Sequence, residues 1–450
     1  MNRDLTVGNP RTVVLRYALP MFVSVIFQQL YNIADSVIAG NFAGEDALSA
    51  IGASYPITMI FMAIAVGSNI GCSVVISRLF GAKDYTQMKT AVSTSLFSSL
   101  VLSGLLTAIG IAVTSPMLRL LQTPDNIMAD ASAYLAIYIG GFAFLFLYNV
   151  CTGIFQSLGD SRTPLYFLIA SSVAKVALDL LFVAKVHWGV SGAAWATFLA
   201  QGAACVLAFV ALLRRLRKIR TPEPATRFSL DMLRQIAGIA IPSILQQSFV
   251  SVGNLLIQSL INSYGSAVIA GYSSAIKLNT FAVTSFSTLA NGVSGFTAQN
   301  VGAEKFRRIA AGFRVGAVAV AGISVAFSVL FVVAGRPLMH LFLRDGTALA
   351  YDTGVQFLRI VAPFYITVAL KIVADAVLRG TGAMRQFMIT TFTDLILRVL
   401  LAYALEDSLG ATGIWISWPI GWAIASGLSL FFYSKQEFHR LAELPEKHEA

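Results

Sequence analysis

Gln28-Gln29-Leu30-Tyr31-Asn32-Ile33-Ala34-Asp35 lies inside an otherwise apolar segment, residues 14–42, where ordinary packing would ask for Leu, Ile and Val. The segment is long enough to cross a bilayer, which needs about 20 residues in a helix. A carboxylate at the centre of a spanning helix costs roughly 2.5–3.5 kcal/mol on insertion scales. Asp35 is therefore expected to face a hydrated cavity rather than lipid. Tyr31, Asn32 and the glutamines upstream would line the same cavity.

The rest of the chain is built from the same material. Of 450 residues, 56% are hydrophobic and 12% charged. A soluble domain carries about 25% charged residues, and a chain this apolar on every helical face reads as a polytopic α-helical membrane protein. The formal net charge of +10 does not imply nucleic acid, because the charge is not spread evenly. In the topology below, 23 of the 32 Lys and Arg fall on one side and four on the other. Lys175, Lys277, Arg359, Lys371 and Arg398 lie in spans or at their edges. That bias makes the basic side cytoplasmic. Cys72, Cys151 and Cys205 all fall in apolar segments, and their spacing fits neither a metal site nor a disulfide frame. No cleavable signal is visible, and the first segment is read as a span.

Twelve spans are expected, at about 14–42, 47–77, 90–117, 129–157, 163–185, 189–213, 235–261, 266–298, 309–334, 350–378, 386–405 and 411–434. Both termini then lie in the cytoplasm. The basic run Arg214-Arg215-Leu216-Arg217-Lys218-Ile219-Arg220, followed by Pro222 and Pro224, divides the chain. It gives an N-terminal six-helix bundle (1–213), a connector (214–234) read as a solvated linker along anionic headgroups, a C-terminal six-helix bundle (235–436) and a tail (437–450). The halves repeat. Residues 44–85 align without a gap on 265–306, with Gly44/Gly265, Gly71/Gly292, Ser73/Ser294, Gly81/Gly302 and Ala82/Ala303 identical. Further on, Gly159/Gly382 and Arg162/Arg385 match, and Pro20 and Pro242 occupy similar places. Six spans per half make the repeats parallel, an arrangement found in transporters.

Four acids fall within spans: Asp35, Asp179, Asp375 and Asp394. Asp35 lies about 21 residues into its span and Asp179 about 16, so at 1.5 Å per residue both reach the outer half of the membrane at comparable depth. They can share one pocket with Lys175, one turn before Asp179, and with Asn149 and Thr197. Two carboxylates in such a pocket should hold a proton more tightly than free acids do. In a plainer reading, Lys175 and Asp179 only neutralise each other. Lys371/Asp375 and Asp394/Arg398 also stand one turn apart and are read as local pairs serving packing. Trp188, Trp415, Trp418 and Trp422 are read as interface anchors or packing residues. There is no Gly-Lys-Ser/Thr phosphate loop and no His-Glu-x-x-His, so neither ATP hydrolysis nor metalloprotease chemistry has a site, and an intramembrane enzyme lacks its clustered groups.

These residues resemble the multidrug and toxic compound extrusion (MATE) exporters, within the wider multidrug/oligosaccharidyl-lipid/polysaccharide (MOP) exporter superfamily. The run Gln28 to Asp35 with Pro20 upstream is similar to that family's first-span signature. Phe155-Gln156-Ser157-Leu158-Gly159-Asp160-Ser161-Arg162-Thr163-Pro164 resembles its loop between spans four and five. Ala177-Leu178-Asp179 and Gly192-Ala193-Ala194-Trp195-Ala196-Thr197 match in spans five and six. The resemblance implies an all-α, V-shaped fold of two pseudo-symmetric bundles, and antiport of organic, often cationic, compounds against inward H⁺ or Na⁺. By motif position Asp35 and Asp179 would bind the coupling ion, aided by Thr197, with Asn149, Gln28, Tyr31 and Asn32 nearby and Pro20 as the conformational residue. Related sequences commonly carry Asn four residues before the span-five Asp; here it is Lys175, whose ammonium would compete with Na⁺. The expectation is therefore an H⁺-driven monomeric exporter in the cell membrane, using no cofactor beyond its coupling ion. A flippase for lipid-linked saccharides from the same superfamily is the alternative.

Overall fold

The computed structural model describes residues 4–38, 45–121, 123–340 and 347–443, with backbone alone at 33–37 and 45–48. Among these the regular structure is entirely helical. The helices are α1 (Pro10–Ile38), α2 (Glu45–Gly81), α3 (Tyr85–Leu120), α4 (Asp125–Gly140), α5 (Phe142–Ser157), α6 (Arg162–Asp179), α7 (Gly189–Arg217) and α8 (Leu230–Asn262). The second half continues with α9 (Ser266–Gly302), α10 (Phe306–Val333), α11 (Gly335–His340), α12 (Ala348–Val361), α13 (Tyr365–Thr381), α14 (Met384–Leu409), α15 (Ala411–Ser434) and the short α16 (Glu437–Leu441). Ten segments are long and apolar enough to cross a bilayer, and α4 with α5 makes a further span bent by 44°. The 37-residue α9, richer in Ser, Thr and Asn, lies where the remaining expected span falls.

Three spans are broken among the described residues, two of them for a local reason. The bend between α4 and α5 falls at Gly140-Gly141, where a Cβ on Gly141 would stand 2.9 Å from the Phe198 ring. Between α12 and α13 the chain passes through a 3₁₀ turn at Ala362–Phe364, because Pro363 has no amide hydrogen to continue the α ladder. After Asp179 the helix widens into a π turn, Leu180–Lys185. Insertions of this kind collect at functional positions because they re-aim side chains within a span.

The chain divides into two compact units, and the division falls inside α1 and α8. Unit 1 comprises Asp4 and Val23–Ser248; unit 2 comprises Leu5–Phe22 together with the chain from Phe249 on. Glycines explain how each is built. In unit 1 the start of α8 lies so close to α2 that a Cβ on Gly71 would come within 2.5 Å of the Ala240 Cβ and 2.8 Å of its Cα. In unit 2 the equivalent Gly292 on α9 faces Ala18 at the start of α1, a Cβ there falling 3.0 Å from the Ala18 Cβ. Each unit thus pairs its glycine-lined second helix of one repeat with the leading half of a helix from the other. The repeat extends to the turns: Gly159 and Gly382 both hold φ +73°, and Lys83 and Glu304 both take left-handed conformations (φ 59° and 55°).

Unit 1 also holds the connector, which is less free than a solvated linker. Lys89 Nζ on α3 donates to the Ile219 carbonyl (2.6 Å), and the Thr226 and Ser229 amides donate to Thr90 Oγ1 and Thr94 Oγ1 at 3.2 and 3.0 Å. Phe228 packs edge-on against Phe97. In unit 2 the segment before α1 is tied down similarly. The Leu5 amide donates to Gln299 Oε1 (2.9 Å), and Arg308 donates to the Leu5 and Gly8 carbonyls.

Candidate coupling and substrate site

In unit 1 the structure brings together Lys175, Asp179 and Tyr31. Lys175 Nζ donates to Asp179 Oδ2 at 2.8 Å, with the two side chains 4% and 1% exposed. The ammonium also stands 5.1 Å from the centroid of the Tyr31 ring on α1, a favourable cation–π distance. Asp179 is the last residue of α6, where the helix gives way to the π turn. Deep burial without ionic compensation would be prohibitive for either charge, so each depends on the other.

Asp35 lies outside the residues whose side chains are described. Its helix nevertheless reaches the same place. Ile38, one turn beyond it, is buried with Val183 of the π turn and Ala193 of α7, and Val176 packs against them. Val183 is one turn after Asp179 and Ala193 one turn before Thr197, so α1, α6 and α7 converge here. The Thr197 hydroxyl donates back to the Ala193 carbonyl at 3.0 Å. The Asn149 amide likewise donates to Leu145 O on its own helix (2.9 Å), while Asn149 O accepts from Asn69 Nδ2 at 2.8 Å. Neither Asn149 nor Thr197 contacts the Lys175–Asp179 pair through these bonds. Gln28 and Asn32 are exposed, Tyr31 is half-buried, and Pro20 lies within α1. Asn69 escaped the sequence reading, although an Asn in the middle of an apolar span is a polar signal of the same kind as Asn149.

At the end of unit 1, Asp160 caps α6. One oxygen accepts from the Arg162 and Thr163 amides (both 3.1 Å); the other accepts from Thr163 Oγ1 and from Arg215 on α7. Burial opposes ionisation of this carboxyl, but the Thr163 hydrogen bonds and the Arg215 charge outweigh it and hold the group below the usual carboxylate range.

Unit 2 departs from the local pairs expected there. Lys371 does pair with Asp375 (2.9 Å), but the same ammonium lies 3.7 Å from Asp394 on α14. The Asp375 carboxylate also accepts from Thr390 of α14 (2.9 Å) and Ser429 of α15 (2.8 Å), so the pair belongs to a three-helix network. Asp394 and Arg398, in contrast, form no ion pair. Arg398 turns instead to the face of Trp418, 4.4 Å from the ring centroid. Trp415, Trp418 and Trp422 are buried and Trp188 is exposed, so only the last is placed like an interface anchor. The three cysteines are free and buried.

The chain matches the MatE family model over residues 20–181 and 242–404, one match in each repeat. Among curated proteins it is 27% identical to the probable multidrug resistance protein YpnP of Bacillus subtilis, over 99% of both chains. It is 24% identical to the multidrug export protein MepA of Staphylococcus haemolyticus, over 93% of this chain and 92% of that one. Among solved structures, an outward-facing MATE family multidrug resistance transporter of the MOP superfamily superposes with a TM-score of 0.91, at 22% identity and covering 98% of this chain and 99% of that one. A MOP superfamily transporter from Pyrococcus furiosus, described as having a binding pocket of reverse polarity, gives the same TM-score and identity over 98% of each chain. With a family model matched in both repeats and relatives aligned from end to end, this multi-pass membrane protein belongs to the MatE family of transporters and is not an enzyme.

Proposed function

We propose that this protein exports organic, often cationic, compounds from the cell by antiport, and that the inward ion is H⁺ rather than Na⁺. The observation that carries the proton reading is the buried 2.8 Å contact between Lys175 and Asp179. A Na⁺ ion needs several oxygen ligands, and here an ammonium already occupies one of the carboxylate oxygens. A proton needs no such shell. Protonating Asp179 from the outside would cancel its charge and loosen its hold on Lys175, whereas loss of that proton to the cytoplasm would re-form the pair. Asp35 is proposed as the second acid of the same pocket, since α1 converges there with α6 and α7. Thr197, Asn149, Gln28 and Asn32 would contribute polar groups; the Thr197 hydroxyl and the Asn149 amide now donate on their own helices, which leaves their oxygens to accept. Reseating of α1 near Pro20 would transmit the change to the substrate pathway.

The relatives named for multidrug resistance and multidrug export support this substrate class. The basic run from Arg214 to Arg220 supports an orientation with both termini in the cytoplasm of a cell-membrane protein, which we take to act as a monomer. The test is export of a fluorescent cationic dye from cells expressing the protein. Asp35→Asn and Asp179→Asn should each abolish gradient-dependent export while membrane insertion stays normal. Undiminished export by either variant would remove that residue from the coupling machinery.

A further inference from the structure

Both ends of the chain meet at the start of α10, whose N-cap and first turn carry Lys305, Arg307 and Arg308. Cations are disfavoured at a helix N-terminus, because the macrodipole is positive there. Backbone carbonyls from outside the helix offset that cost. Arg308 holds the segment leading into α1 through the Leu5 and Gly8 carbonyls, and Lys305 Nζ donates to the Thr6 carbonyl at 3.1 Å. The neighbouring Arg307 holds the other end of the chain, its Nε donating to the Ala442 carbonyl at 2.8 Å. The grip on the tail and the grip on the segment before α1 are thus adjacent residues of one helix.

The tail is packed in place. Phe438 of α16 is 4% exposed and belongs to the core of unit 2. Tyr433, near the end of α15, stacks on Phe313 of α10 at 3.9 Å and meets the Phe438 ring at 5.8 Å. Thr381, at the end of α13, donates to Gln436 in the turn before α16 (3.3 Å). His439 sits in this cluster, its imidazole 4.9 Å from the Tyr433 ring and 4.2 Å from that of Phe438. Its Nε2 is wholly shielded and has no hydrogen-bond partner among the described residues.

A neutral imidazole tolerates this seat, with Nε2 an unused acceptor. Protonation would turn Nε2 into a charged donor with nothing to receive its hydrogen. From α10, Arg307 at the Ala442 carbonyl and Arg314 near Tyr433 oppose a further positive charge. The Tyr433 carbonyl on α15 and Glu443 in the tail itself attract one, yet neither bonds Nε2. A hydrated histidine titrates near about 6.5. Docking is therefore favoured above that pH and weakens as the pH falls below it, because only the freed ring takes its proton without loss.

We propose that α16 is a pH-operated latch. With His439 neutral the tail is docked and, through Arg307, steadies the turn of α10 that grips the segment before α1. Acid protonates His439, undocks the tail and slows export by loosening the anchored start of α1. The latch rests on the proposed orientation, which puts the tail in the cytoplasm. In a transporter that imports protons it would limit further acid entry.

Hydrogen exchange of the 437–443 amides in lipid nanodiscs reads docking with no gradient or substrate, and so separately from the antiport reading. In the wild type, exchange corrected for its chemical pH dependence should be slow at about pH 7.5 and severalfold faster at about pH 5.5. His439→Phe keeps an aromatic ring that cannot take a proton, and should stay slow at both. Equal protection of the wild-type tail at the two pH values would overturn the latch, and that arm needs no variant to fold. So would acid release of the tail in His439→Phe. In proteoliposomes under a constant pH gradient, acidifying the tail side should slow the wild type more than His439→Phe. Equal slowing would overturn the latch's control of transport. An acid-released tail in a protein that no pH gradient drives would sink the coupling proposal alone.

Discussion

Removing one partner of the Lys175–Asp179 contact would take away the other's close counter-charge in a site where both side chains are at least 96% buried. Breaking such a pair costs about 3–5 kcal/mol, whereas replacing both partners by apolar residues of similar size is often neutral. Asp179→Leu should therefore lower the thermal unfolding midpoint sharply in detergent, and Lys175→Met with Asp179→Leu should recover most of the loss without recovering transport. A double variant as unstable as the single one would show that the pair is not mutually compensating. Asp160 offers a test by pH. Its carboxyl is held below the usual range by Thr163 and Arg215, so its contribution to stability is present above the unfolded value near 4 and fades as pH falls through the folded value. Asp160→Asn should cost about 1.5–3 kcal/mol at neutral pH, and the gap to wild type should close in acid. A pH-independent gap would contradict it. Lys175–Asp179 was legible in the sequence because i,i+4 spacing in a span brings opposite charges together. The same rule misplaced Arg398, whose guanidinium prefers the face of Trp418, 20 positions on, to Asp394 one turn away.

Helix crossings turn on glycines whose role depends on what passes them. Gly71 and Gly292 are repeat equivalents, and each admits the leading half of α8 or α1. A leucine at Gly71 would run into the Ala240 backbone, and over-packing of this kind costs about 1–3 kcal/mol or more. Gly71→Leu should thus reduce stability and yield, whereas Gly104→Ala on α3, with nothing within 4 Å of the added Cβ, should leave both unchanged or improve them slightly. Similar losses at the two positions would mean that helix propensity, not the crossing, decides. The spans themselves were readable from apolar length, and their repeat from glycine and proline identities. The interruptions were harder to read. Gly140-Gly141 and Pro363 carry a local signal, but the π turn after Asp179 has none, since Leu180–Lys185 is ordinary apolar helix material. The Thr390 and Ser429 bonds to Asp375 were equally hidden, because they join positions 15 and 54 residues apart.

At the scale of the whole molecule, the internal repeat and the family were visible in the sequence, while the compact units were not. Hydropathy places the division at the basic connector, but packing places it within α1 and α8. The connector is tied to α3 by Lys89, Thr90 and Thr94 and so holds the start of α8 in unit 1. The central claim is that Lys175 makes this family member proton-driven. It is tested most directly in proteoliposomes loaded with dye, on which a pH gradient and a Na⁺ gradient are imposed separately, for the wild type and Lys175→Asn. The account predicts wild-type efflux under the pH gradient alone, and a new response to Na⁺ once Asn replaces the ammonium. Wild-type efflux driven by Na⁺ without a pH gradient would contradict it.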